Sequence, residues 1–389
     1  MSSLRIAIVG GGPSGLTLAR LLQVNNFACT VFELDDDPAG RNQGGTVDLH
    51  PRGGQLALRE AGLLDEFKRH ARPEGEALKL VKFDGTVVYD ENVMGSNRPE
   101  EYADRPEIDR SKLRQLLLDS LQAGTVVWGK KLRSVEESPS KLGKYDLHFQ
   151  DSSEEGFDLV VGADGAWSKV RSFLTEQQPF YSGITAIECW ATEVDQRHQK
   201  LGEFVGAGNC FMFDEGRAIQ SQRLGDNSIR VYAGVRQPED WLQRCGIDWS
   251  SPDEAKKQLI DQYFADCAPE LKHAIMDAND KLIPRLMWML PIGMRWESIP
   301  GVTLAGDAGH LMTPFAGVGV NLAMADSLDL SKAIIGCGGD PGLLAGAIQR
   351  YEEEMLARGE QFARKTWKNL GGHFSAAGVE EMAGRLKGR

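Results

Sequence analysis

The sequence predicts an α/β protein in which the chain visits a mostly parallel, helix-flanked sheet three times, inserts an antiparallel sheet between visits and closes with a long helix. Three observations predict this. The chain opens on an apolar strand, a glycine turn and an amphipathic helix (IAIVGGGPSGLTLARLLQV), and FDLVVGADG and VTLAGDAGH repeat the strand-to-glycine-turn pattern. The region from 176 to 275 carries alternating strand patterns. The tail from Gly346 to Phe374 alternates charge around one apolar stripe, as a long helix does.

Composition bounds the reading. At 389 residues the chain exceeds one ordinary core and suits interleaved units, with 41% apolar residues to fill them. It has no run of about 18 apolar residues and enters a strand directly, which predicts a soluble, cytoplasmic protein. Its six cysteines lack CxxC or ligand spacing, so neither disulfides nor a metal site are expected. A net charge of −12 gives no basic footprint for nucleic acid or an anionic membrane. The expected partners are small molecules, and the expected state is a monomer or weak homodimer.

The first element is the strand Ile6 to Val9, followed by Gly10, Gly12 and Gly15, a helix, a second strand from Cys29 to Phe32, and Glu33. This is the dinucleotide fingerprint of a Rossmann-like unit in its required context. Gly10 allows the tight turn, Gly12 lets a pyrophosphate approach the backbone, and Gly15 lets the helix pack on the strand. The helix N-terminus faces the anion, while Glu33 accepts from both hydroxyls of an adenosine ribose and would repel a phosphorylated one. FAD or NAD fits this loop and NADP does not.

Next, VKFDGTVVYDENV (81 to 93) reads as strands of the second unit. EIDRSKLRQLLLDSL (107 to 121) has helical spacing at Leu113, Leu116, Leu117 and Leu121, with Arg110 and Arg114 sharing either a solvated or a functional face. In FDLVVGADGAWSKVRSFL (157 to 174) a buried strand ends at Gly162, Asp164 and Gly165 turn, and Ser168 and Arg171 follow on a short helix. Asp164 is there either a local cap or a ligand-binding acid. RAIQSQRL and SIRVYAGV flank the turn Gly225, Asp226, Asn227 as a hairpin of the antiparallel sheet.

The strand Val302 to Ala308 presents Asp307, and a helix from about Gly317 through Ile335 begins at the same crevice. The uncharged stretch Leu311 to Val320 suits a flat, uncharged ring lying on bare backbone. The tail stripe of Ile348, Tyr351, Met355, Phe362 and Trp367 is either a packing strut between domains or part of substrate closure. These elements assign 1–77, 98–175 and 276–345 to the nucleotide unit, 78–97 and 176–275 to the substrate unit, and 346–389 to a C-terminal helical segment.

Taken together, GGGPSG, GADGAWSKVR and LAGDAGHLMTPFAGVGVN, in this order and spacing, resemble the single-component FAD-dependent aromatic hydroxylases, the class A flavoprotein monooxygenases of the p-hydroxybenzoate hydroxylase type, over residues 4 to 370. The resemblance implies noncovalent FAD, with Gly10, Gly12, Pro13, Ser14, Gly15, Glu33 and Leu34 at its ADP half and Asp307 at the ribityl or pyrophosphate region. It implies further cofactor contacts from Arg41, Asp48 and either Arg110 or Arg114, with Asp164 serving both FAD and NADPH. Pro314, Gly317, Gly319, Val320 and Asn321 would line the isoalloxazine. Phe211, Gln220, Gln222 and Tyr232, with Pro314, Phe315, Ala316 and Gly317, would line the substrate. Pro314 and Gly317 would sit beside the reacting ring, and His310 is either a catalytic acid one turn away or a structural residue of the loop.

Dioxygen reacts slowly with closed-shell molecules, so such a protein needs a redox cofactor. The resemblance implies that NADPH reduces FAD and that a flavin C4a-hydroperoxide transfers oxygen to a polycyclic or phenolic small molecule. With no second G-x-G-x-x-G, NADPH would approach a mobile flavin from outside. GRNQGGTVDLHPRGGQLALREAGL (40 to 63) and EIDRSKLR are most similar to the tetracycline-inactivating members. Those grip their drug with a glutamine, an arginine and a histidine. Here Tyr232 falls where the histidine is expected, Gln220 or Gln222 falls where an aromatic is expected, and the arginine has no clear match. Two alternatives stand beside this reading. Flavin-dependent halogenases share the nucleotide fold, and RWESIP (295 to 300) is superficially similar to their W-x-W-x-I-P signature, but residue 294 is Met and the spacing differs. The other is a non-redox FAD-containing binding protein.

Overall fold

The structure, a computed structural model, describes residues 4–38, 44–95, 104–279 and 281–387. Its centre is a five-stranded parallel sheet in the order Val302–Leu304, Leu159–Gly162, Ile6–Val9, Cys29–Phe32 and Val126–Val127. The inner strands read as continuous apolar runs because both their faces are covered. On one face Ile6 and Ile8 pack with Leu18 and Leu22 of the helix Pro13–Val24 and with Ile334 and Ile348 of later helices. On the other, Ala7 and Val9 pack with Leu147, Phe149 and Phe157 of a three-stranded antiparallel sheet.

Register places the site. Val9 pairs with both Phe32 and Gly162, and Gly162 pairs with Leu304, so these four strands end flush. The loops that follow, at Gly10, Glu33, Asp164 and Asp307, therefore leave along one edge, where open α/β sheets bind their ligands. The strand expected over Val302 to Ala308 stops at Leu304, and Asp307 instead opens the short helix Asp307–His310. The helix after the ring loop runs Gly319–Gly336.

The second sheet has seven strands, ordered Ile283–Met289, Phe180–Ala191, Ile229–Arg236, Arg217–Arg223, Asn209–Asp214, Leu78–Val81 and Val87–Asp90. The hairpin expected around Gly225 to Asn227 is its centre. Two features depart from the sequence reading. Leu78–Val81 runs parallel to Asn209–Asp214, because it arrives from the nucleotide unit rather than through a hairpin. Ile283–Met289, counted with the nucleotide unit, pairs along Phe180–Ala191 as an edge strand. A short strand's own pattern does not say which distant sheet it joins.

Alternation sorts the seven-stranded sheet. Ile187, Cys189, Met212, Ile219, Val231 and Ala233 point into a core under the helices Gln199–Val205, Pro252–Tyr263 and Pro269–Met276. Their neighbours Glu188, Trp190, Asn209, Phe211, Gln220, Gln222, Arg230 and Tyr232 face the opposite way.

The helix Pro341–His373 joins the two units. Ile348, Tyr351 and Met355 pack in the nucleotide core, while Leu370 packs with Phe213 and Leu80 of the second sheet. This is the strut arrangement. The buried stripe continues through Ala363, Thr366 and Leu370, leaving Phe362 half-buried and Trp367 exposed. The sequence pattern puts both aromatics on the stripe, whereas in the structure they lie off it. Among the described residues no helix is long and apolar enough to cross a membrane.

Candidate functional site

The glycines of the first loop have distinct reasons to be glycine. Gly10 has φ +107, and a Cβ there would lie 2.3 Å from the Ala163 carbonyl oxygen. A Cβ on Gly15 would lie 2.0 Å from the Gly10 carbonyl oxygen, so the helix packs that closely on the turn. Gly12, the residue capping the helix Pro13–Val24, faces open space: nothing stands within 4 Å of the Cβ position. That opening, in front of unpaired helix N–H groups, fits an anionic pyrophosphate. Glu33 is buried, and its carboxylate accepts from Gly11 N at 2.5 Å and Asp35 N at 3.0 Å.

Several motif residues turn their side chains elsewhere. Ser14 directs its hydroxyl to Ala323 O and Ser327 Oγ, clamping two helices, so only its backbone faces the loop. Leu34 is exposed at the surface. Arg41 lies outside the described residues. Arg114 is buried, donating to Gly11 O, to Pro38 O at 2.7 Å and to Asp35 at 3.2 Å, so it braces the loop from behind. A solvated face is thereby excluded for it. Arg110 is the exposed one of the pair. A Cβ on Gly44 would come within 3.2 Å of its Cδ, and its charge acts on Asp307.

Asp164 caps its own turn, accepting from Ser168 Oγ at 2.5 Å and Lys169 N at 2.7 Å. Burial raises its pKa while those hydrogen bonds oppose the shift. Arg171, buried, donates to Ala166 O and to Ala308 O and so ties this turn to the Asp307 helix. Asp307 differs: its carboxylate opens on the crevice and has no hydrogen-bond partner among the described residues. Although the residue is exposed at the crevice mouth, desolvation by the backbone packed around it raises its pKa, against the pull of His310 and Arg110.

His310 is not placed as an acid at the crevice. Its ring is buried with Nε2 on Asp326, which also accepts from Gly306 N at 2.9 Å and Arg358 at 2.8 Å. Burial works to lower its pKa, but the Asp326 carboxylate outweighs it and the pKa is raised. The buried His310–Asp326 pair holds the loop from the core side. Gly359 permits this packing, since a Cβ there would lie 2.9 Å from that of His310.

The ring loop begins with the 3-10 turn Pro314–Ala316 and reaches Gly317 in the left-handed region, φ 62 and ψ 30. Pro314 and Gly317 are exposed, and Cβ atoms on Gly317 or Gly319 would meet nothing within 4 Å. Helix packing therefore does not explain these two glycines. Ala316 and Val320 are half-buried beside them. Phe315, assigned to the substrate, is instead buried edge-on against His373 and Phe374. Asn321 is also spent internally: its Oδ1 accepts from His50 N and Gly54 N while its Nδ2 donates to Asp48 O. It stitches the loop after the strand Thr46–Asp48 to the helix, and the Asp48 carboxylate pairs with His50.

The sheet residues named from sequence do converge. Phe211, Gln220 and Tyr232 stand in one cross-strand row with Glu188, and Asn209, Gln222 and Arg230 stand in the next with Trp190. A Cβ on Gly45 would lie 3.1 Å from Gln222 Oε1, 3.4 Å from Arg230 Cδ and 3.4 Å from the Tyr232 hydroxyl. Sequence reasoning missed Arg230, which is buried over Trp190 and paired with Glu188 at 2.7 Å. The signal was its position two residues from Tyr232 on one strand. Also missed was Glu107, buried among Thr46, Asn209 and Arg72; burial first, then the Asp48 charge, lifts its pKa to about 7. Trp296, the basis of the halogenase comparison, packs half-buried against the core and donates to Glu352.

The open Gly12, the buried strand-end Glu33, the unpartnered Asp307 carboxylate and the bare Gly317 and Gly319 together fit FAD. Comparison with known proteins agrees. A family profile described as "FAD binding domain" matches residues 3–366. The chain is 31% identical to "Monooxygenase penA" of Penicillium thymicola, over 99% of both chains. It is 28% identical to "3-amino-4-hydroxybenzoate 2-monooxygenase PtmB3" of Streptomyces platensis, over 93% of this chain and 86% of that one. The crystal structure of Klebsiella pneumoniae HpxO complexed with FAD and uric acid superposes with a TM-score of 0.78 at 20% identity, covering 99% of this chain and 93% of that one.

Proposed function

The chain belongs to the FAD-binding-domain family of flavin-dependent monooxygenases, and from that premise we propose that it is driven by NADPH and hydroxylates a polycyclic or phenolic small molecule seated between the ring loop and the inner face of the large sheet. The observation that carries this reading is the segment Gly44–Gly45. Gly44 lies against Arg110 and Gly45 against Gln222, Arg230 and Tyr232, so one backbone stretch borders both the cofactor crevice and the substrate face.

Bound FAD would supply the redox chemistry, namely hydride acceptance from NADPH and activation of dioxygen for transfer of one oxygen atom. Gly10, Gly12, Gly15 and Glu33 would hold its ADP half. Asp307 and the N-terminus of the helix Gly319–Gly336 would hold the middle of the molecule. Pro314 and Gly317 would border its ring with exposed backbone, while the N–H groups that open the helix Gly319–Gly336 and the exclusion of water would stabilise developing charge without a side-chain acid. Phe211 supplies an apolar flank for an aromatic ring. Gln220, Gln222 and Tyr232 supply the convergent polar groups that orient it. Asp164 and Arg171 fix the turn past which the reductant would approach.

The test is oxygen uptake with FAD-loaded protein and NADPH across a panel of polycyclic phenols that includes tetracyclines. The expected result is that at least one compound stimulates NADPH oxidation and gains one oxygen. If no compound changes the rate, the substrate class is wrong; a product gaining halide instead would assign halogenase chemistry.

A further inference from the structure

Two side-chain amides on the substrate face are fixed in orientation by groups outside it. Asn209 Nδ2 lies 3.3 Å from Gly75 O and 3.3 Å from Glu107 Oε1. A backbone carbonyl has no proton to give, so the nitrogen end of Asn209 must face Gly75 whether or not Glu107 carries a proton. Asn209 Oδ1 is thereby turned toward Gln222, 3.2 Å from its Nε2. An amide oxygen only accepts, so Gln222 must offer its nitrogen there and direct Oε1 away. This orientation follows from the hydrogen-bond network itself.

Oε1 of Gln222 consequently lies at Gly45, beside the Tyr232 hydroxyl, and no described residue donates to it. Gln222 is half-buried, so a ligand covering this oxygen without giving it a proton strands an acceptor. Building on the monooxygenase reading of the site, we propose that Gln222 determines specificity by presenting only its carbonyl to the substrate, and that Asn209 is the positioning residue that holds it so. The site then selects aromatic substrates carrying an O–H or N–H at that edge over the same skeletons methylated there. Gly75 and Glu107 come from the first and second chain visits, so the selection is set by the junction between the two units.

The test is calorimetric binding to the oxidised, FAD-loaded protein without NADPH, using matched probes: 2-naphthol against 2-methoxynaphthalene, and phenanthridinone against its N-methyl derivative. The parent should bind the donor-bearing member about tenfold tighter or more. Gln222→Leu should bring each pair level. Asn209→Leu should cut the preference to about threefold or less, because the Gln222 amide then turns freely. Asn209→Asp keeps an oxygen toward Gln222 and should retain the preference, even though it places two acids together and lowers the melting temperature. A preference that survives both leucine variants, or one that falls in step with melting temperature across all three, overturns the proposal. Equal binding of both members by the parent overturns it while leaving the monooxygenase reading standing. No binding of any probe, together with no probe-stimulated NADPH oxidation, overturns that reading and the proposal with it.

Discussion

Asp307 and Asp164 are both acids in glycine turns at the same sheet edge, yet their surroundings separate their roles. Asp307 has a carboxylate with no hydrogen-bond partner among the described residues, whereas Asp164 spends its own on the turn that follows it. Asp307→Ala should therefore weaken FAD binding by roughly 1.5 to 3 kcal/mol, about tenfold to a hundredfold, with little change in melting temperature. Asp164→Ala should do the reverse. Titrating FAD into the apoprotein of each variant, alongside thermal melts, checks this, and unchanged FAD affinity in Asp307→Ala refutes the assignment. At Gly317, φ is 62 and the Cβ position is open, so valine adds strain of about 1 to 3 kcal/mol and a branched obstacle over the crevice without an internal clash. The predicted variant is folded, binds FAD weakly and releases hydrogen peroxide instead of oxygenated product. If substrate oxygenated per NADPH, normalised to bound FAD, matches the parent, the ring does not lie there. Spacing in a motif fixed where such backbone positions fall, but not where side chains turn: Ser14, Phe315 and Asn321 carry family positions and direct their side chains inward.

At the scale of elements, the strand Glu107–Asp109 pairs with Thr46–Asp48 and brings the buried Glu107 against Asp48, lifting its pKa from 4.5 to about 7. In that window the native state holds a proton that the unfolded chain has released, so stability falls as pH climbs from about 4.5 to about 7 and levels off above. Glu107→Gln removes this ionisation. Its stability relative to the parent should rise across the window by on the order of 3 kcal/mol, read from chemical denaturation at a series of pH values. Parallel profiles would mean that Glu107 titrates normally. The strands Ile6–Val9 and Cys29–Phe32 were legible because an apolar run between glycine turns states its own limits. Ile283–Met289 was not, since its pairing is decided by a strand a hundred residues earlier. The amide chain from Gly75 through Asn209 to Gln222 was illegible for the same reason.

At the scale of the molecule, three visits to one sheet and one helical strut packed against both sheets leave nucleotide loops on one side of a crevice and a polar sheet face on the other. Among the described residues bordering it, none of the site residues named above is a cysteine, and His310 is turned to Asp326 in the core, so the flavin should leave with acid or heat; colour retained by the denatured chain would contradict this. The three-motif order was readable because each motif is a strand end followed by a glycine turn, and flush strand ends are what a parallel sheet makes of them. On this reading the crevice carries one oxygen atom from O₂ to an aromatic substrate. The most direct measurement is turnover of FAD-loaded protein with NADPH and the best-stimulating phenol under ¹⁸O₂, with the product examined by mass spectrometry. One ¹⁸O atom per product molecule is the predicted result, and product that takes its oxygen from labelled water, or takes none, would contradict it.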